Sequence, residues 1–204
     1  MRYDSARSMI FQAYHEQRGS VMVYASQIAE LGAQVQSSQK QNNDWRIVNG
    51  LESGQVISAV ERQPQHLQAL ARYCFGPFTR DELAEDREWL HAALMHVGMQ
   101  MRLPGQGQAE RPPVEAAQQL RWIVSAAIHH HAEATYPYNR PGLHNPRRIA
   151  AWIEEEHGEE VDVRRWAAHG RTCWKGVWEK LLDTLDRWEC QTLAPVAGLI
   201  KTAA

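Results

Sequence analysis

A chain of 204 residues can bury a core that needs no disulfide or metal staple, and its 22 Lys and Arg stand against 24 Asp and Glu. That near-neutral balance excludes a whole-chain field drawing it to nucleic acid or membrane, so any such attraction is local. Three cysteines, Cys74, Cys173 and Cys190, form an odd set without CxxC spacing, which argues against a disulfide framework or a four-cysteine zinc site and fits a reducing setting.

Apolar residues recur three and four apart along most of the chain and alternating runs are nearly absent, so the expected class is all-α. A first helix is expected from Ser5 to Gln17 with Gly19 behind it, and a second from about Val21 to Gln36, capped by Ser20. The polar run SSQKQNND, 37–44, separates them from a helix over Gln55 to Arg62 and another through QHLQALARYC after Pro64. A longer helix is expected from Arg80 to about Met99, with Thr79 and Glu82 as a capping box.

The stretch RLPGQGQAERPP, 102–113, holds three Pro and two Gly and reads as a hinge or linker. It divides the chain into an N-terminal helical region, 1–101, a linker, 102–112, and a C-terminal helical region, 113–204. Beyond it a helix is expected from near Pro113 to about Glu133. After the proline-rich TYPYNRPGLHNP, three more follow at 147–157, 162–169 and 172–190.

Charge separates along this second half. Residues 111–150 carry five Arg against two acids, and residues 164–180 carry five Lys or Arg against Glu179 alone. Ile149, Trp152 and Ile153 share one helical face, and Val163, Trp166 and Ala167 another. Trp174, Trp178, Leu181, Leu185 and Trp188 make a seam that must be buried against helices or a partner. Asp183 and Arg187 pair on its solvated side.

If those apolar positions are buried, Arg164, Arg165 and His169 point outward, and Gly170 supplies a turn before Arg171, Thr172 and Lys175. Helix, tight turn and helix with a supporting helix is the outline of a helix-turn-helix-like module, about 146–190. In such a module Arg and Lys can donate to guanine, and Thr can meet a base edge or phosphate. Arg147 and Arg148, with Arg140 ahead of them, could grip phosphates. An ordinary solvated face over a helical core fits the same residues.

Other signals carry less. Consecutive histidines in HHH, 129–131, project about 100° apart on a helix and cannot chelate one ion together. Ser53 and Gly54 lack the strand and spacing of a nucleophile elbow, and no P-loop, GxGxxG or HExxH occurs. Asp81 with Glu82 and Asp86 with Glu88 read as solvated carboxylates. LARYCFGPFT, 70–79, reads as a helix end packing Tyr73 and Phe75 into the core, or as a docking surface. No catalytic role, cofactor or metal is expected. No apolar run of about 18 residues occurs, and MRYDSARSMIFQ lacks a secretory signal, so the expectation is a soluble cytoplasmic protein without membrane association.

LQALARYCFGPFT, NPRRIAAWIEEEHG, VDVRRWAAHGRTCWKGVWEKLLDTLDRWE and LAPVAG together resemble phage and prophage Q-like late antitermination proteins, including AlpA-type lysis-gene regulators. The resemblance covers about a third of the chain and rests on loose patterns. It implies binding to double-stranded DNA near a late promoter and loading onto paused RNA polymerase that still holds sigma factor. It further implies narrowing of the RNA exit channel so that terminator hairpins cannot form, without catalysis. Arg164, Arg165, Arg171, Thr172 and Lys175 would contact DNA, supported by Arg147 and Arg148. The cysteine-rich zinc finger of some Q proteins is missing here.

Two other functions compete. A phage-derived helical assembly or packaging protein would use the 174–188 seam to oligomerise, and the sequence leaves the oligomeric state open. A nuclease would need clustered carboxylates for metal ions, and no convincing cluster occurs.

Overall fold

The computed structural model describes residues 5–18, 44–109, 111–135, 140–163, 166–168 and 172–202. These hold seven helices and no strand: α1 (Ala6–Arg18), α2 (Asp44–Glu61), α3 (Gln65–Phe75), α4 (Ala84–Met99), α5 (Val114–Ala134), α6 (Pro146–His157) and α7 (Trp174–Thr202). The all-α class expected from the periodicity is the class observed. The helix expected from Val21 to Gln36, with its Ser20 cap, lies outside the described residues.

Each helix buries the stripe its sequence carries. In α1, Met9, Ile10, Ala13 and Tyr14 face inward, and Ser5 starts the helix by accepting the Ser8 N–H at 3.2 Å. Helix α2 begins at Asp44 rather than Gln55. Its apparent breakers are neutralised, because Gly50 and Gly54 face open space and Ser53 donates to Glu16 of α1 at 2.6 Å instead of competing for the backbone. Gln68 of α3 donates to the carbonyls of Glu61 and Gln63 at 2.9 and 2.8 Å, satisfying acceptors that the end of α2 leaves open.

Helix α4 starts later than expected. Residues 80–83 form turns and the first helical residue is Ala84. Only half of the capping box forms: Glu82 accepts the Thr79 N–H at 2.7 Å. The Thr79 hydroxyl donates to the same carboxylate at 2.9 Å and leaves the helix start uncapped. Asp86 is also not the solvated acid its sequence context suggested. It is 6% exposed and receives Arg72 of α3 through Nε at 2.8 and 3.1 Å to its two oxygens.

The longest element is α7, with 29 residues, and it packs against α1, α2, α3, α4 and α5. Trp174, Trp178, Leu181 and Leu185 are buried and Trp188 partly so, so this chain's own helices cover the seam that an oligomer could have used. The helix continues past residue 190 and through Pro195. Val196, next to that proline, is fully buried. One buried cluster draws on residues from both sides of the 102–112 stretch, including Leu103 within it. Among the described residues, no helix is long and apolar enough to cross a membrane.

The helix expected at 162–169 is not present among the described residues there: 161–163 have no regular structure and 166–167 form a turn. Val161 and Val163 are β-branched and the segment is short, so helix nucleation has little to recover it. Trp166 is nonetheless buried as expected, its ring centroid 6.2 Å from that of Trp178, whereas Ala167 is exposed. Helix α6 rests on α5.

Candidate nucleic-acid interface and the cavity behind it

Helix α6 has well-formed ends. Asn145 accepts the Arg148 N–H at 2.8 Å, Pro146 opens the helix, and Gly158 closes it with φ of 69°, the left-handed geometry that suits glycine. Its charges run against these ends. Arg147 and Arg148 occupy the first turn, both exposed and without an ion pair to another described residue, while Glu154 and Glu155 are exposed in the last turns. Backbone dipoles make a helix N-terminus positive, so each cation there is disfavoured by about 0.3–1 kcal/mol. The two arginines therefore reinforce a positive end rather than stabilise the helix.

Asn145, Pro146, Arg147, Arg148, Ala151 and Val163 line one open cleft. Arg164, Arg165 and Arg171 lie outside the described residues, but their chain neighbours are placed: Val163 in this cleft and Trp166 in the core. Thr172 and Lys175 are exposed at the start of α7. The Lys175 N–H donates to the Trp166 carbonyl at 2.9 Å, and its ammonium lies 3.7 Å from Glu179 with both side chains more than half exposed. Such a pair is weak and leaves the ammonium available to another anion. The structure thus brings Arg147 and Arg148 to the chain at residue 163 and places Lys175 against Trp166.

The three consecutive histidines diverge as the helix geometry requires. His129 stacks on Trp152 at 4.6 Å, and His130 stands between His144 and Trp178 at 5.3 and 5.5 Å. His131 is buried against Glu189 of α7. His130 thereby ties the loop ahead of α6 to the first turns of α7. No group of three metal-ligating side chains gathers among the described residues.

Behind α6 lies a cavity of about 290 Å³, walled by α3, the turn ahead of α4, α4, α5 and α6. Its lining includes the side chains of Tyr73, Phe78, Leu83, Ile128 and Ala132. In the same lining the Ser125 hydroxyl and His157 Nε2 are 3.0 Å apart, and the His157 ring is held by Trp122 at 4.7 Å and Trp152 at 5.6 Å. His91 contacts the Arg121 carbonyl through Nε2 at 3.0 Å, so that nitrogen carries the proton.

Four side chains of opposite charge line this cavity: Arg80, Arg87, Glu133 and Glu156. Arg80 pairs with Glu156 and Arg140 with Glu133 at 3.3 Å, whereas Arg87 has no ion pair to another described residue. Burial lowers the pKa of His157, and Arg87 and His91 from α4, Arg121 from α5 and Arg80 lower it further. Burial also lowers that of His91; the Arg121 carbonyl raises it, and the charges of Arg121 and Arg87 lower it again. These rings are therefore neutral at pH 7, with the Arg87 guanidinium near both.

A serine beside a histidine is the minimal nucleophile and base. Here the serine sits inside α5, whose N–H groups are used by the helix, so the turn around it offers no backbone donors for an oxyanion. The arrangement suits holding an anion better than acyl transfer. Sequence reasoning missed the cavity because Arg87, Ser125 and His157 come from three separate segments and carry no joint spacing signal. Comparisons with protein-family models, curated proteins and solved structures find no match to this chain.

Proposed function

We propose that this protein is a DNA-binding transcription regulator of the Q-like antitermination kind. In this reading it binds a promoter-proximal DNA element, loads onto paused RNA polymerase that holds sigma factor, and allows read-through of terminators. The observation that carries the DNA contact is the inverted charge of α6, with Arg147 and Arg148 exposed on its positive end. A helix N-terminus with two guanidinium groups suits phosphate.

Arg164 and Arg165 directly follow Val163 of the same cleft in sequence, and Lys175 and Thr172 extend the basic stretch along the chain. The polymerase step rests on the sequence resemblance. The competing assembly role loses its main motive, because the α7 seam is already covered within the chain.

Reconstituted transcription tests the whole reading. Read-through of a terminator should require both this protein and a specific upstream DNA segment. Read-through that persists after that segment is scrambled, or no read-through at all, would overturn it.

A further inference from the structure

The cavity behind α6 has features that the DNA reading does not use. Its volume of about 290 Å³ lies at the lower edge of ligand-binding cavities, about 300–1,000 Å³, which suits a small molecule rather than a peptide. Its lining includes the aromatic side chains of Tyr73, Phe78 and Trp152, surfaces that pack best on a flat ring. Its polar groups include the Ser125 hydroxyl, the neutral imidazole of His157 and the Arg87 guanidinium.

Charge narrows the class. The cavity's two acids are each met by an arginine, Glu156 by Arg80 and Glu133 by Arg140. Arg87 remains as one uncompensated cation among the described residues. A planar guanidinium matches a carboxylate through two parallel hydrogen bonds, and a guanidinium without an ion pair is free to make them.

We infer that this cavity is a binding site for a small aromatic carboxylate, whose ring packs on Tyr73 and Phe78 and whose carboxylate meets Arg87 beside Ser125 and His157. Every wall but α6 belongs to other elements, so an occupant bridges the helix that carries Arg147 and Arg148 to α3, α4 and α5. The site stands independently of the DNA reading, and its test needs no DNA.

The probe is 2-naphthoate titrated into the full chain by calorimetry, with the histidine ring resonances followed by NMR. Saturable one-to-one binding is expected, with the His157 signal shifted. Affinity should rise as pH is lowered below the ordinary histidine value of 6.5, because burial and Arg87 hold the His157 and His91 pKa values down and the bound anion favours their protonation. Arg87→Gln, at an exposed position, should keep the thermal midpoint and weaken binding about tenfold or more. The neutral 2-naphthalenemethanol should bind at least about tenfold more weakly than the carboxylate.

Absence of saturable binding, or equal affinity in Arg87→Gln, would overturn the site. An affinity that is flat or falling as pH drops below 6.5 would overturn the placement of the carboxylate beside the histidines. Tighter binding of 2-naphthyl phosphate than of 2-naphthoate would overturn the carboxylate class.

Discussion

His131 of α5 and Glu189 of α7 face each other in the interior, 3.0 Å apart between Nε2 and Oε2, with side chains 5% and 7% exposed. Arg7 of α1 meets the other carboxylate oxygen, so one acid joins the first, fifth and last of the described helices. Burial pushes the Glu189 pKa up, and the contacts from His131 and Arg7 outweigh it, leaving the group below the ordinary glutamate value of 4.5.

Removing that acid strands two partners. Glu189→Ala should destabilise the fold by about 2–3 kcal/mol, less than a fully buried pair would lose because Arg7 is partly exposed. A depressed carboxylate pKa stabilises the fold above the unfolded value and ceases to do so as pH falls through the folded one. The wild-type advantage over Glu189→Ala should therefore be full near pH 7 and shrink below the ordinary glutamate pKa. Urea midpoints across that range, at constant m-value, measure it.

The Arg72 and Asp86 pair makes a sharper geometric demand. Arg72 reaches both carboxylate oxygens, which a lysine ammonium cannot reproduce. Asp86→Ala should lose about 2–3 kcal/mol, and Arg72→Lys should recover only part of what Arg72→Ala loses. Recovery of full stability by lysine, read from thermal or urea melts, would contradict the fork.

Gly158 tests the end of α6. Its φ of 69° is left-handed, and a Cβ there would meet nothing within 4 Å, so the only penalty is conformational. Gly158→Ala should destabilise by about 1 kcal/mol and Gly158→Asn by less.

Pro195 lies exposed inside α7, where it supplies no N–H to the helix. Pro195→Ala restores that donor and should raise stability by about 1–2 kcal/mol. A lower midpoint in the alanine variant would mean that packing around Val196 depends on the proline ring.

The elements most legible in the sequence are those whose burial follows a single helical period. Trp178, Leu181 and Leu185 lie where their spacing put them, as do Ile149 and Ile153, because a 3.6-residue repeat encodes one face directly. Boundaries were less legible where tertiary burial overrides a local breaker, as with Gly54 in α2 and Pro195 in α7. Val163 and Trp166 carried the opposite error: apolar spacing suggested a helix, but β-branched residues in a short segment settle as irregular chain and a turn.

Site residues divided by range. Arg147 and Arg148 were expected at a proline-rich entry to a helix, and both lie exposed in the first turn of α6. Asp86 was misread because its partner lies one helix away, and Ser125 with His157 was invisible because only the fold brings them together.

We propose that the positive end of α6 meets nucleic-acid phosphate. Binding of promoter-proximal duplex DNA, measured across a series of salt concentrations for the wild type and for Arg147→Gln with Arg148→Gln, tests it most directly. The double variant should bind more weakly and show a salt slope smaller by about two, with its thermal midpoint unchanged or raised because the removed charges oppose the helix dipole. Equal affinity and equal slope in the two proteins, or no duplex binding by the wild type at low salt, would contradict the claim.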